Sequence, residues 1–133
     1  MNLNNSASAS LLMKSANKLK SAESNFLSGR IDSCVSDLYY SAFQSVCALM
    51  VSRGKSTSKH THVRLFINKE LALKGILSLE LSKMYNKLMD MRCDADYSTE
   101  ITFTPEDVEI IVDQVRKFNQ EILLLIEKQI LRI

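Results

Sequence analysis

Four residues cut this chain into pieces. Gly29, Gly54 and Gly75 are its only glycines and Pro105 is its only proline. The stretches between them are helix-length and too poor in turn residues to make the hairpins of a sheet. Within each stretch apolar residues recur at helical spacing. Leu12, Ala16, Leu19, Ala22 and Phe26 predict a first helix over residues 8–28, with residues 1–5 polar and expected to fray. Ile31, Cys34, Val35, Leu38, Ala42 and Val46 predict a second, which stops at Arg53 and Gly54. Its small residues Ser41, Ala42, Ser45 and Ala48 suit close packing, so it is expected at the centre. A short helix over about residues 62–73 follows, and then a longer one over 76–95 with Leu77, Leu81, Met84, Tyr85 and Leu88 as its stripe. The last helix, 105–131, has a complete start: Thr104 as N-cap, Pro105 in the first position, and Glu106 and Asp107 in the first turn. Four long helices and a short one in a single all-α domain over 1–133 is the expected fold. Leu123, Leu124 and Ile126 spread apolar surface around the end of the last helix, where a subunit contact is expected.

Several function classes drop out on composition. A formal charge of +2 is too small to hold nucleic acid or membrane by bulk electrostatics, so any such contact has to be local. No run of apolar residues is long enough to span a bilayer, and the first residues lack the basic start and apolar stretch of a secretion signal. Cys34, Cys47 and Cys93 are odd in number and the first two sit in an amphipathic pattern, as expected of thiols in a reducing cytoplasm. No Cys and His grouping has zinc spacing, and no metal or cofactor is expected.

Chemistry concentrates between Tyr85 and Tyr97, where an apolar stripe runs into an arginine and two acids. Leu81, Tyr85, Leu88 and Arg92 share a helix face, with Asp96 at its edge. The guanidinium therefore points toward packing, and a buried charge demands a partner. A plain reading is a helix-ending contact of Arg92 with Asp94 or Asp96. The functional reading is a polar pocket at the helix end with Tyr97 as its hydroxyl. The loop over 54–62 offers Lys55, Lys59, His60 and His62 ahead of a helix, either as a phosphate-binding loop without P-loop spacing or as a solvated connector. Tyr39, Tyr40 and Phe43 on the second helix read mainly as core, with a tyrosine hydroxyl at a functional site as the alternative.

The order of these pieces resembles the HEPN domain family, in its small stand-alone prokaryotic branch. The resemblance covers nearly the whole chain. It rests on Tyr39-Tyr40-Ser-Ala-Phe43, a loop histidine best matched by His60, Lys74-Gly75-Ile-Leu, and above all Arg92-Cys-Asp-Ala-Asp-Tyr97, similar to the family's Arg-x-x-Ala-Asp-Tyr signature; Phe118 in the final helix also fits. It implies an up-and-down helical bundle, a homodimer, a cytoplasmic location and a minimal nucleotidyltransferase as partner. Many members are metal-independent ribonucleases with a histidine four to six residues beyond the arginine. Here those positions hold Tyr97, Ser98 and Thr99, and a tyrosine with a pKa near about 10 is a poor base at neutral pH. Arg53 and His60 have ribonuclease spacing but straddle a loop, and their match is read as chance.

The favoured expectation is a non-catalytic nucleotide- or substrate-binding partner of that transferase, in a toxin–antitoxin-like pair. Its site would be Arg92, Asp94, Asp96 and Tyr97 with Tyr40 and His60, where arginine binds phosphate oxygens and tyrosine stacks on a base. The alternatives are a ribonuclease toxin, with Arg92 stabilising the phosphorane and His60 or Tyr97 moving protons, and a structural helical dimer.

Overall fold

Each glycine ends a helix in the same way. Gly29, Gly54 and Gly75 have φ of 77, 77 and 71°, the left-handed region that a side chain disfavours. The residue after each donates its amide to a carbonyl five residues back: Arg30 to Asn25, Lys55 to Met50 and Ile76 to Leu71, all at 2.8 Å. This closure satisfies carbonyls that the helix end would otherwise leave without a donor.

The protein is described by a computed structural model that covers the backbone of residues 3–56, 59–97 and 103–131 and the side chains of 6–56, 59–93 and 103–129. Five α-helices result: α1 (Leu3–Leu27), α2 (Ile31–Ser52), α3 (His60–Phe66), α4 (Leu79–Tyr97) and α5 (Pro105–Leu131). No strand occurs among the described residues. Three boundaries differ from the periodicity. α1 begins at Leu3, ahead of residue 8, because its polar start is tied down where the Ser8 hydroxyl donates to the Ala48 carbonyl at 2.5 Å. α3 runs into a π-helix over Ile67–Ala72, which an apolar spacing of Val63, Phe66, Ile67 and Leu71 does not distinguish from an α-helix. α4 starts later than residue 76 because Ser78 caps it, its hydroxyl accepting the Leu81 amide at 3.3 Å. Thr104 caps α5 as its sequence predicts, taking the Asp107 amide at 3.2 Å.

α2 is central, packing on α1, α5 and α4, and its small residues explain how. Ser41, Ala42, Ser45 and Ala48 are fully buried. At the α1–α2 crossing Ser15 donates to the Ser41 carbonyl at 2.7 Å and Ser41 returns a bond to the Ser15 carbonyl at 2.8 Å. Asn119 of α5 joins by donating to the Ser41 hydroxyl at 2.9 Å. The backbones approach closely there with the Ser15 and Ser41 hydroxyls both bonded. On its other side α2 meets a core in which Tyr85 of α4 stacks on Phe118 of α5 at 5.6 Å, worth about 0.5–1.5 kcal/mol beyond burial. Ile126 belongs to the core at 1% exposure, whereas Leu123 and Leu124 are exposed. No described helix is long and apolar enough to cross a membrane.

Candidate functional site

Adjacent residues on a helix point about 100° apart, so Tyr39 and Tyr40 leave α2 in different directions. Tyr39 turns into the core and is fully buried, while Tyr40 lies at the edge, half-buried. Their rings meet edge to face at 5.4 Å. Arg92 comes off α4 opposite this pair. Its Nη2 donates to the Tyr40 hydroxyl at 2.7 Å, and its guanidinium carbon lies 5.3 Å from the Tyr40 ring centre and 5.7 Å from that of Tyr39. Such aromatic faces attract a cation while leaving it less hydrated than in water.

His60, the first residue of α3, completes the cluster. Its ring lies flat on Phe43 at 4.3 Å and 13°, and edge-on to Tyr40 at 6.0 Å. Its Nδ1 and the Tyr39 hydroxyl are 2.5 Å apart. Ring stacking and this hydrogen bond fix the imidazole's plane, with Nε2 as the other ring nitrogen. Burial, and after it the positive charge of Arg92, hold the His60 pKa below its ordinary value of 6.5. The imidazole is therefore neutral at physiological pH beside a permanent cation. Tyr39 is shifted upward, chiefly by burial and against the lowering effects of Tyr85 and Arg92, so it stays a neutral phenol. Behind it, Tyr85 is fully buried with its own pKa driven up by burial first.

A second cation stands at the rim. Lys18 of α1 lies 5.9 Å from the Tyr40 ring centre and 3.7 Å from Asp37, which also accepts from Ser21 at 2.7 Å and Asn25 at 2.9 Å. What the cluster offers is a planar fork of donors, a neutral oriented imidazole and a phenol within one small volume. This is suited to an oxyanion that exchanges a proton with its neighbour.

Arg92, Tyr40 and His60, singled out from the sequence, thus come together. Asp94, Asp96 and Tyr97 fall on the last turn of α4, and their side chains lie outside the described residues. Tyr39, Phe43, Tyr85 and Lys18 were not in the expected site. The available signal for Tyr39 was its phenol on a helix face expected to be core, since a buried hydroxyl needs a hydrogen-bond partner. Arg53 packs over Phe66, its guanidinium carbon 5.8 Å from the ring centre, and the partner of Tyr40 in the site is Arg92, not Arg53.

The all-α fold is consistent with what the comparisons with known proteins found. The family model described as HEPN domain matches residues 8–126. The chain is 35% identical over 98 residues to a UPF0332 protein of Thermotoga maritima, covering 74% of each chain. It is 31% identical over 123 residues to a Methanocaldococcus jannaschii protein named "Putative toxin", covering 92% of this chain and 84% of that one.

Proposed function

Because this chain belongs to the HEPN domain family, we propose that it is a toxin-type ribonuclease that cleaves RNA without a metal ion, working in the cytoplasm as a homodimer. The observation that carries the reading is the convergence of Arg92 and His60, 32 residues apart in sequence, on the paired rings of Tyr39 and Tyr40. The name of the archaeal relative supports a toxin. Leu123 and Leu124, exposed near the end of α5, support a subunit contact there.

In this reading Arg92 holds the non-bridging oxygens of a phosphodiester and stabilises the charge that grows on them. Neutral His60 takes the proton of the adjacent ribose 2′-hydroxyl through Nε2 as the 2′ oxygen attacks phosphorus. The bond from phosphorus to the 5′ oxygen breaks, and solvent supplies that oxygen with a proton. The products are a 2′,3′-cyclic phosphate and a 5′-hydroxyl. The test is incubation of the purified protein with RNA in EDTA and analysis of the new ends. Cyclic phosphate ends are expected, with a rate about 100-fold lower or worse in Arg92→Lys and in His60→Asn. Intact RNA at high protein concentration, or equal cleavage by both variants, overturns the reading.

A second reading is favoured by one feature of the sequence. Tyr97, Ser98 and Thr99 stand where the ribonucleases of the family carry their histidine, which supports a non-catalytic nucleotide-binding or regulatory partner of a minimal nucleotidyltransferase. In that case Arg92 and Tyr40 face a nucleotide or the transferase itself. Co-purification from the native cell separates the two: this second reading expects a transferase retained by the wild type and lost in Arg92→Ala, with no RNA cleavage by either. Cleavage in EDTA, or a transferase retained by both proteins, counts against it.

A further inference from the structure

We propose that a basic pocket between the end of α2 and the start of the π-helix, about 220 Å³ in volume and lined by Lys55, Lys69, His62 and Phe66, is a subsite for the RNA backbone flanking the cleaved phosphate. This rests on the ribonuclease reading and adds to it a surface that reading does not use. Arg53 and Lys55 both stand over the Phe66 ring, at 5.8 and 5.3 Å from its centre. Lys69 lines the same pocket. Its one acid is Glu70, and Lys74 already pairs with that carboxylate at 2.6 Å.

Arg53, Lys55, Lys69 and Lys74 against Glu70 give a local positive excess larger than the +2 of the entire chain. The lining itself holds Lys55 and Lys69 against Glu70, and Arg53 over Phe66 and Lys74 on Glu70 supply the rest of this excess. The Glu70 carboxylate registers it: its pKa is pulled down by Lys74 first, and also by the charges of Lys55 and Arg53. Cations outnumber the one acid at this face, so its local field is positive.

Placement ties the pocket to the site. α3 has His60 at its first residue and Phe66 at its last, and a helix of that length spans about 10 Å. His60 faces the Tyr39 and Phe43 rings, while His62, Leu65 and Phe66 face the pocket. A single strand whose phosphate is held by Arg92 passes the start of α3 and reaches the pocket within a few nucleotides. Ammonium and guanidinium groups there neutralise phosphates without reading bases, so the subsite raises affinity for any RNA long enough to span both places.

The experiment uses the full-length protein with Lys55→Gln and Lys69→Gln combined, both residues being exposed. Binding is measured to a 2′-O-methyl RNA oligomer, which cannot be cleaved, across a range of salt, and turnover is measured on a dinucleoside phosphate too short to reach the pocket. The slope of log affinity against log salt is expected to fall by about 1.4, about 0.7 per lost contact on a single strand. Dinucleoside phosphate turnover stays within about twofold, and Lys55→Arg with Lys69→Arg restores the slope. Unchanged oligomer affinity and slope overturn the subsite. So does an equal loss of dinucleoside turnover, which places the effect on the fold or the catalytic cluster. The binding arm needs no cleavage, so it judges the pocket even if the wild type proves inactive on RNA.

Discussion

Removing either end of the Arg92–Tyr40 contact should give most of the damage of removing both. The Nη2 donation at 2.7 Å is charge-assisted and half-buried, worth about 1.5 kcal/mol at the low end of its range. The two ring contacts at 5.3 and 5.7 Å add about 0.5 kcal/mol each at a partly exposed position. Tyr40→Phe keeps the ring and loses only the hydrogen bond, so it costs about 1.5 kcal/mol. Arg92→Met loses the bond and both ring contacts, about 2.5 kcal/mol. The double variant counts the hydrogen bond once and also stands near about 2.5 kcal/mol, which makes the coupling about 1.5 kcal/mol. Anything else Arg92 touches cancels in the cycle. The chain has no tryptophan, so urea unfolding followed by far-ultraviolet circular dichroism is the assay. Costs that add to within about 0.5 kcal/mol would refute the claim that Tyr40 anchors the guanidinium.

Four further outcomes concern His60, Gly54 and the cysteines. In a pH titration of the His60 ring by NMR, the folded protein should titrate below 6.5 and Arg92→Met should titrate higher, because a positive neighbour has been removed; an unmoved or lowered midpoint contradicts the electrostatic link. By the same sign, the folded state resists protonation of His60, so the contribution of this residue to stability declines as pH falls from the unfolded value of 6.5 to the lower folded one, and then levels off. Gly54→Ala should destabilise by about 1–2 kcal/mol from its left-handed backbone alone, since a Cβ there meets nothing within 4 Å. Cys93 should react with a thiol reagent well before Cys34 or Cys47, which are buried and pushed up to about 11; equal rates measured by mass spectrometry would show that the core opens readily.

The parts of this fold that read correctly from sequence are those written locally. Gly29, Gly54 and Gly75 declare helix ends because the backbone there needs φ above zero, and Thr104 declares a helix start because its hydroxyl serves an amide three residues on. The small residues of α2 announced a close crossing, though not the exchange of bonds between Ser15 and Ser41 that depends on another helix. The π-helix after Phe66 was invisible because over six residues the buried pair Ile67 and Leu71 fits either helix type. The site divides along the same line. Arg92 stood out because a charge on an apolar face needs an explanation, and Tyr40 and His60 stood out through resemblance. Tyr39 looked like core and is core, but its hydroxyl is also the group that orients His60. The meeting of His60 with Arg92 depends on where α3 docks, and no spacing in the chain records that.

The most direct test of a shared site is the rate of RNA cleavage in EDTA by wild type, Arg92→Lys, His60→Asn and the double variant. Two groups acting on one phosphate make the double variant no slower than the worse single one, since each loss already disables the other. If the two losses multiply instead, or if the wild type leaves RNA intact, Arg92 and His60 do not work as one catalytic unit.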